Sequence, residues 1–176
     1  VTEQDIANLM VGREVRASVV EDFKGDRNDI VFELRHVTDD LLKDVSVQVA
    51  RGEIVGFSGL VGAGRSELME FAFGLRRVEK GEVLINGKPV TIKTPVDAIR
   101  RGVGFATEDR QQTGMFQGLS LENNINLISQ LKYKGFINHK KERQENAERM
   151  IDEINIKCTG KDELVSNLSG GNQQKV

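Results

Sequence analysis

Gly59-Leu60-Val61-Gly62-Ala63-Gly64-Arg65-Ser66 is the stretch on which the reading of this chain turns. It follows an apolar run, Ile54-Val55-Gly56-Phe57, and precedes a segment with helically spaced apolar residues. That is the strand, glycine loop and helix context of a phosphate-binding loop. Three glycines let the backbone bend tightly, so that N–H groups of the loop and of the first helical turn form a cationic concavity suited to a polyphosphate. The stretch fits the GxxxxGK[ST] pattern with one departure, Arg65 at the Lys position. Arg keeps the charge but offers a planar fork in place of a compact ammonium, so nucleotide binding is expected to survive the exchange better than hydrolysis. Ser66 retains the hydroxyl that can join a Mg²⁺ shell beside phosphate oxygens and water. A glycine-rich turn that merely packs a helix on a strand would leave the retained cation and hydroxyl unexplained.

A chain of 176 residues suits about one domain with an appendage and can bury a real core. A formal charge of −2 with both signs interspersed gives no large basic field, which disfavours nucleic acid as the main partner. The single cysteine, Cys158, has no internal disulfide partner and reads as a packing residue in a reducing compartment. No apolar run approaches the roughly 18 residues of a membrane span, and Val1 to Met10 lacks a basic start followed by an apolar core. Any membrane connection is therefore expected through a partner.

Residues 2 to 12 read as a short amphipathic helix, and the charged, aromatic-poor stretch to Asp29 as a linker. Period-two alternation predicts strands at Ile30 to Val37 and Val45 to Val49, and the run Ile54 to Phe57 predicts the strand that feeds the loop. Asn86-Gly87 predicts a primed hairpin turn between Glu82–Ile85 and Lys88–Ile92. A buried helix is expected over Ser66 to Phe73, stopped by Gly74, and a short one over Val96 to Arg101, with Thr94 as cap and Pro95 in its first turn. Val103 to Arg110 reads as a short strand ending in two carboxylates, Glu108 and Asp109. Helices are expected at Leu121 to Leu131, capped by Ser120, and from an Asn138 cap to about Asn155. Lys132 to Phe136 is a basic aromatic loop too isolated to indicate nucleic acid, and His36 reads as structural or exposed. The chain closes on Leu168-Ser169-Gly170-Gly171-Asn172-Gln173-Gln174-Lys175-Val176, where a Ser-Gly-Gly turn opens a helix. Taken alone, that turn is equally an anion seat or a bare cap.

The loop GLVGAGRS, the strand end VGFATEDR and the terminal LSGGNQQKV together resemble the ATP-binding subunits of ABC transporters, in particular the second nucleotide-binding domain of sugar importers of the ribose, galactose and xylose type. The resemblance covers most of residues 30 to 176 and implies an α/β P-loop NTPase of ABC type, with a mixed sheet core, an antiparallel β layer and a helical subdomain. It implies that the C-terminal part of the domain lies beyond Val176. It divides the chain into a closing helix of a preceding ATPase domain (1–13), a linker (14–29), a P-loop core with the antiparallel β subdomain (30–109), and a helical subdomain ending in the signature motif (110–176). Gly59, Leu60, Val61, Gly62, Ala63, Gly64, Arg65, Ser66 and Glu67 would then hold ATP and Mg²⁺. Glu108 would stand where the family usually has a Gln that senses the γ-phosphate, and Ser66 and Glu108 would face the metal. A carboxylate there would repel phosphate unless magnesium or Arg110 lies beside it. Ser169, Gly170 and Gly171 would meet ATP held by an opposing ATPase domain.

The resemblance further implies transmembrane permease subunits as partners, a periplasmic or extracellular sugar-binding protein as an indirect one, and a peripheral place on the cytoplasmic face of a bacterial membrane. It departs from the family in having no aromatic residue between Val37 and Leu42 to stack on adenine. The family's catalytic Glu would lie beyond Val176, so no catalytic residue is expected within this chain and no turnover by it alone. Two other readings remain: a regulatory domain that binds ATP without cleaving it, favoured by Arg65 and Glu108, and a DNA-maintenance ATPase, disfavoured by the low basicity and the NQQKV ending.

Overall fold

The computed structural model describes residues 5–6, 23–132 and 139–176. Its internal contacts divide it into two compact units, Val1–Arg65 with Val78–Thr91, and Ser66–Arg77 with Ile92–Val176. Of the helix expected over 2–12, only Asp5 and Ile6 are described, both helical. The rest of it, most of the linker and the loop 133–138 with Asn138 lie outside the described residues.

The first unit is a four-stranded antiparallel sheet in the order β2-β1-β3-β4, with β1 at Ile30–Thr38, β2 at Val45–Ala50, β3 at Lys80–Ile85 and β4 at Lys88–Val90. Alternation sets its register. Leu34 faces Val47 on one side and Val83 on the other, so the apolar residues of three strands meet on one face. Leu34 and Val37 are fully buried there, with Val83 nearly so. The hairpin turn is the primed type that Asn-Gly favours, with φ of +49° at Asn86 and +72° at Gly87. Its second strand ends at Val90, short of the expected Ile92.

His36 sits at φ +50° in a register shift between Leu34 and Val37. Its Nδ1 lies 2.8 Å from Asp44 Oδ1, and both side chains are exposed. The bulge turns His36 outward and the chain into an Asp39 turn. Asp39 Oδ1 accepts the N–H groups of Leu41 and Leu42 at 2.8 and 2.7 Å, which drives Leu42 into the interior.

Two expected strands carry no ladder among the described residues. Glu53 to Leu60 and Val103 to Ala106 join no strand pair there; their backbone bonds are local turns, with Glu53 N–H on the Ala50 carbonyl and Val103 N–H on the Ala98 carbonyl, and Ile54 is 97% exposed. Apolar composition gives a run the capacity to pair; a strand forms only where a neighbouring backbone closes the hydrogen bonds.

The second unit is helical. It takes in nearly all of α1 (Arg65–Phe73), then α2 (Pro95–Arg100), a single π turn (Arg110–Gly114), α3 (Leu121–Ile125), 3₁₀ turns at Ser129–Lys132 and Val165–Asn167, α4 (Lys140–Glu153) and α5 (Gly170–Gln173). Leu68 and Ala72 of α1 are buried while Met69, Phe71 and Phe73 are half-buried, and the Phe73 ring stacks on Phe105 at 5.3 Å. Gly74 ends α1 at φ +81°, where a Cβ would meet Thr94 at 2.9 Å. Thr94 caps α2 in a reciprocal capping box with Asp97. The thiol of Cys158 is free and packs on the cluster Leu121, Ile156, Val165 and Leu168.

The helix expected over Leu121–Leu131 stops at Ile125. The reason is Asn126, fully buried, whose Nδ2 donates to the carbonyls of Glu122 (2.8 Å) and Arg143 (2.9 Å) while its Oδ1 accepts from Asn146 (2.9 Å). The side chain competes with the helix for its own carbonyls and exchanges helix continuation for a tie to α4. In α4, Ala147 is buried and Met150 and Ile151 half-buried as the spacing predicts, but Ile154 is 39% exposed. Asn155, at φ +51°, has already turned the chain away. The cap position of α4 falls on His139, which makes no side-chain cap bond.

Candidate functional site

The phosphate-loop candidate lies between β2 and α1. Gly62 and Gly64 adopt φ of +81° and +83°, the left-handed conformation that side chains resist. The Ala63 N–H donates to the Leu60 carbonyl at 3.1 Å, so the loop folds on itself there and that amide is spent internally. The eight residues are therefore not a uniform row of free donors. Leu60 and Val61 are 86% and 99% exposed, Gly59 and Gly62 are also open, and Arg65 extends to solvent. Gly64 alone of the loop is buried. A Cβ built on it would lie 2.8 Å from Leu42 Cδ2 and 3.5 Å from Leu41 Cγ. Leu41 and Leu42, delivered by the Asp39 turn, thus form an apolar seat under the loop. The stretch that lacks an aromatic to stack on a base thus supplies a support that residue types alone do not announce; its sequence signal is Asp39-Asp40-Leu41-Leu42, an Asx turn aiming two leucines.

Ser66 opens the helical unit, and α1 places its hydroxyl 3.4 Å from Glu108 Oε2. Both side chains are exposed, and Glu67 beside them is half-buried. Asp109, the next residue, caps the π turn instead of joining the pair, accepting the N–H groups of Gln111 and Gln112 at 3.1 Å each. Glu108, Asp109, Arg110 and Gln111 line an open, shallow depression of about 480 Å³. A hydroxyl and a carboxylate together are hard oxygen donors of the kind Mg²⁺ accepts, so these two residues fit a divalent cation.

The Ser-Gly-Gly turn opens α5 with Ser169 as N-cap. Its hydroxyl accepts Asn172 Nδ2 at 3.0 Å and makes no cap bond, and Ser169, Gly170 and Gly171 are all exposed. The residues around it anchor the turn: Leu168 packs in the apolar cluster, Gln173 is buried and donates to the Val165 carbonyl at 3.2 Å, and Asn172 accepts the Lys157 N–H at 3.0 Å. Arg110, suggested by the sequence as a countercharge for Glu108, is turned to this place. A Cβ on Gly170 would lie 3.2 Å from its Nη2.

Comparison with known proteins shows the family. Residues 42–176 match the family model described as ABC transporter. This chain belongs to that family. Among curated ABC relatives, it is 38% identical over 187 residues to the D-allose import ATP-binding protein AlsA of Escherichia coli (strain K12), covering 100% of this chain and 37% of the relative. It is 39% identical over 180 residues to the ribose import ATP-binding protein RbsA of Lactococcus lactis subsp. lactis (strain IL1403), covering 98% and 35%. The arabinose import ATP-binding protein AraG of Pectobacterium atrosepticum (strain SCRI 1043) is 47% identical over 134 residues, 75% of this chain and 26% of that one. The chain spans about a third of the length of the whole-chain relatives.

The ABC fold is shared with solved cassettes. The dimeric post-hydrolysis ATP-binding cassette MJ0796, bound to ADP and Pi, aligns with a TM-score of 0.65 at 23% identity, over 82% of this chain and 66% of that one. The ADP conformation of the cassette MJ1267 aligns at 0.64 and 18%, over 83% and 62%. The α/β P-loop NTPase architecture of ABC type is thereby established for this chain. Among its described residues no helix is long and apolar enough to cross a membrane.

Proposed function

We propose that this chain is the ATP-binding domain of a sugar importer, taking Mg-ATP on residues 59–67 with Glu108 and offering Ser169, Gly170 and Gly171 to ATP on an opposing ATPase domain. The observation that carries the reading is the approach of Ser66 to Glu108 at 3.4 Å, two oxygen donors brought together from 42 residues apart, one of them the last residue of the glycine-loop pattern. Bound magnesium would neutralise phosphate charge there and remove the repulsion that Glu108 would otherwise exert. Gly62 and Gly64 shape the loop, Arg65 supplies a cation, and the apolar seat under Gly64 holds the backbone in place. With the planar Arg65 in the Lys position, binding at this loop outlasts hydrolysis. The second reading, a domain that binds ATP and never cleaves it, rests on the same residue.

The partners in this reading are a second ATPase domain, permease subunits in the membrane, and a sugar-binding protein reached only through them; nucleic acid is not among them. The protein would sit peripherally on the cytoplasmic face of a bacterial membrane. The relatives carry the names of ribose, allose and arabinose importers, which supports a monosaccharide as cargo.

The test is equilibrium ATP titration of the full-length protein carrying this chain, with its other nucleotide site disabled. Magnesium-dependent binding at this loop in the micromolar to millimolar range is expected, about −8 to −4 kcal/mol. No affinity even at millimolar ATP would overturn the proposal. ATPase assay of Arg65→Ala in the same protein separates the two readings: a partial loss favours a weakly hydrolytic site, and no change favours one that only binds.

A further inference from the structure

Arg110 is held in place by its backbone. Asp109 caps the π turn that Arg110 begins, and the Thr113 hydroxyl donates to the Asp109 carbonyl at 2.7 Å. From that fixed base the guanidinium reaches Gly170, and the room for it exists because residue 170 has no side chain: a Cβ there would lie 3.2 Å from Nη2.

Local stability does not explain the placement. Arg110 Nε is buried without a hydrogen-bond partner, an arrangement that costs free energy. The side chain joins the residue two after Glu108 to the turn that opens α5 with no hydrogen bond at Nε to repay it, which is the geometry of a spacer.

We infer that Arg110 is a positioning residue: its guanidinium, lying beside the place a side chain at residue 170 would take, sets the separation between the Glu108 loop and the Ser169–Gly171 turn within one chain. The functional consequence rests on the reading that both elements attend nucleotide. What is bound at Ser66 and Glu108 would then be conveyed to the turn through a side chain that touches no nucleotide itself.

The experiment uses the full-length protein with Arg110→Ala, Gly170→Ala, the double variant, and Arg110→Gln. Arg110→Ala is expected to lower kcat for ATP about tenfold while KM stays within about twofold, because the lost group orients and does not bind. Amide exchange at Gln173 and Gln174, whose N–H groups bond to Ser169 and Gly170, is expected to quicken while Val165 is unchanged. Gly170→Ala is expected to lower the melting temperature more in the natural background than beside Arg110→Ala, where its methyl meets no guanidinium.

Unchanged kcat together with unchanged exchange would overturn the inference, as would strictly additive melting shifts or a loss confined to KM. Should Arg110→Ala fail to fold, Arg110→Gln, which keeps a planar polar end with a shorter reach, is expected to show the same kcat loss and faster exchange, and the same contrary results would count against the idea. If the unsubstituted protein binds no Mg-ATP, the proposed function fails, while the exchange and melting results still decide whether Arg110 positions the turn.

Discussion

The hydroxyl of Ser66, at the start of α1, donates to Oε2 of Glu108 across 3.4 Å, although 42 residues separate them in sequence. Neither residue is buried, so the approach comes from how α1 and the segment after Ala106 are placed within one unit and not from packing of the pair itself. In the proposed function, magnesium held by this hydroxyl and carboxylate would mediate between Glu108 and a phosphate. In the full-length protein, Glu108→Gln and Ser66→Ala are each expected to reduce the magnesium-dependent gain in ATP affinity by about tenfold, ~1.4 kcal/mol. The double variant should lose little more than either single one, since both remove parts of one shell. ATP titrations with and without magnesium measure this, and equal gains in all four proteins would separate Glu108 from the site.

Gly64 tests the loop's support. An added methyl would meet Leu42 Cδ2 at 2.8 Å from a backbone at φ +83°. Gly64→Ala is expected to destabilise the protein by about 1–3 kcal/mol and to abolish ATP binding at this loop. Leu42→Ala in the Gly64→Ala background relieves the clash but not the φ strain, so only part of the stability should return. Thermal melts of the single and double variants distinguish the two contributions.

Glu33 gives the sheet a pH dependence. The Arg35 guanidinium grips both its oxygens at 2.8 Å, and Gln48 donates to it at 2.8 Å. These bonds, that of Arg35 foremost, hold the Glu33 carboxyl below the ordinary carboxylate range. The folded state therefore binds this proton less tightly than the unfolded one. The stabilisation is complete above the unfolded titration range and is lost as pH falls through the folded value. Chemical denaturation as a function of pH should show stability falling on the acid side, and Glu33→Gln should flatten that fall while lowering stability at neutral pH. An unchanged acid limb would assign the effect to other carboxylates.

Asn126 ties α3 to α4. With its side chain fully buried and bonded to the Glu122 and Arg143 carbonyls and to Asn146, Asn126→Leu would leave several buried polar groups without partners. A loss of about 2–3 kcal/mol is expected, read as a lower denaturation midpoint with little change in slope. The exposed Arg149–Glu153 pair, 2.9 Å apart on α4, provides the contrast, since its removal should cost no more than about 0.5 kcal/mol.

Much of this protein was legible because its signals are short-range. Asn86-Gly87 dictated the hairpin turn, Thr94-Pro95 with Asp97 dictated a capped helix, and Gly74 dictated a stop, each through φ preferences and hydrogen bonds that reach only a few residues. The errors share an opposite cause. Ile54 to Phe57 was expected as a strand from its composition, but it has no ladder partner among the described residues. The helix after Ser120 was expected to run to Leu131, but it ends where Asn126 finds better partners on α4, 17 and 20 residues away.

The order of residues by itself determined the glycine loop, the caps and turns, and the family, since these depend on residue types at fixed spacings. Tertiary structure alone decided which distant groups come together: Leu42 under Gly64, the Ser66 hydroxyl at Glu108, and the Arg110 guanidinium beside Gly170. Spacing along a chain constrains neighbours within a turn or a strand pair. A contact between segments exists only once packing has fixed where each segment lies.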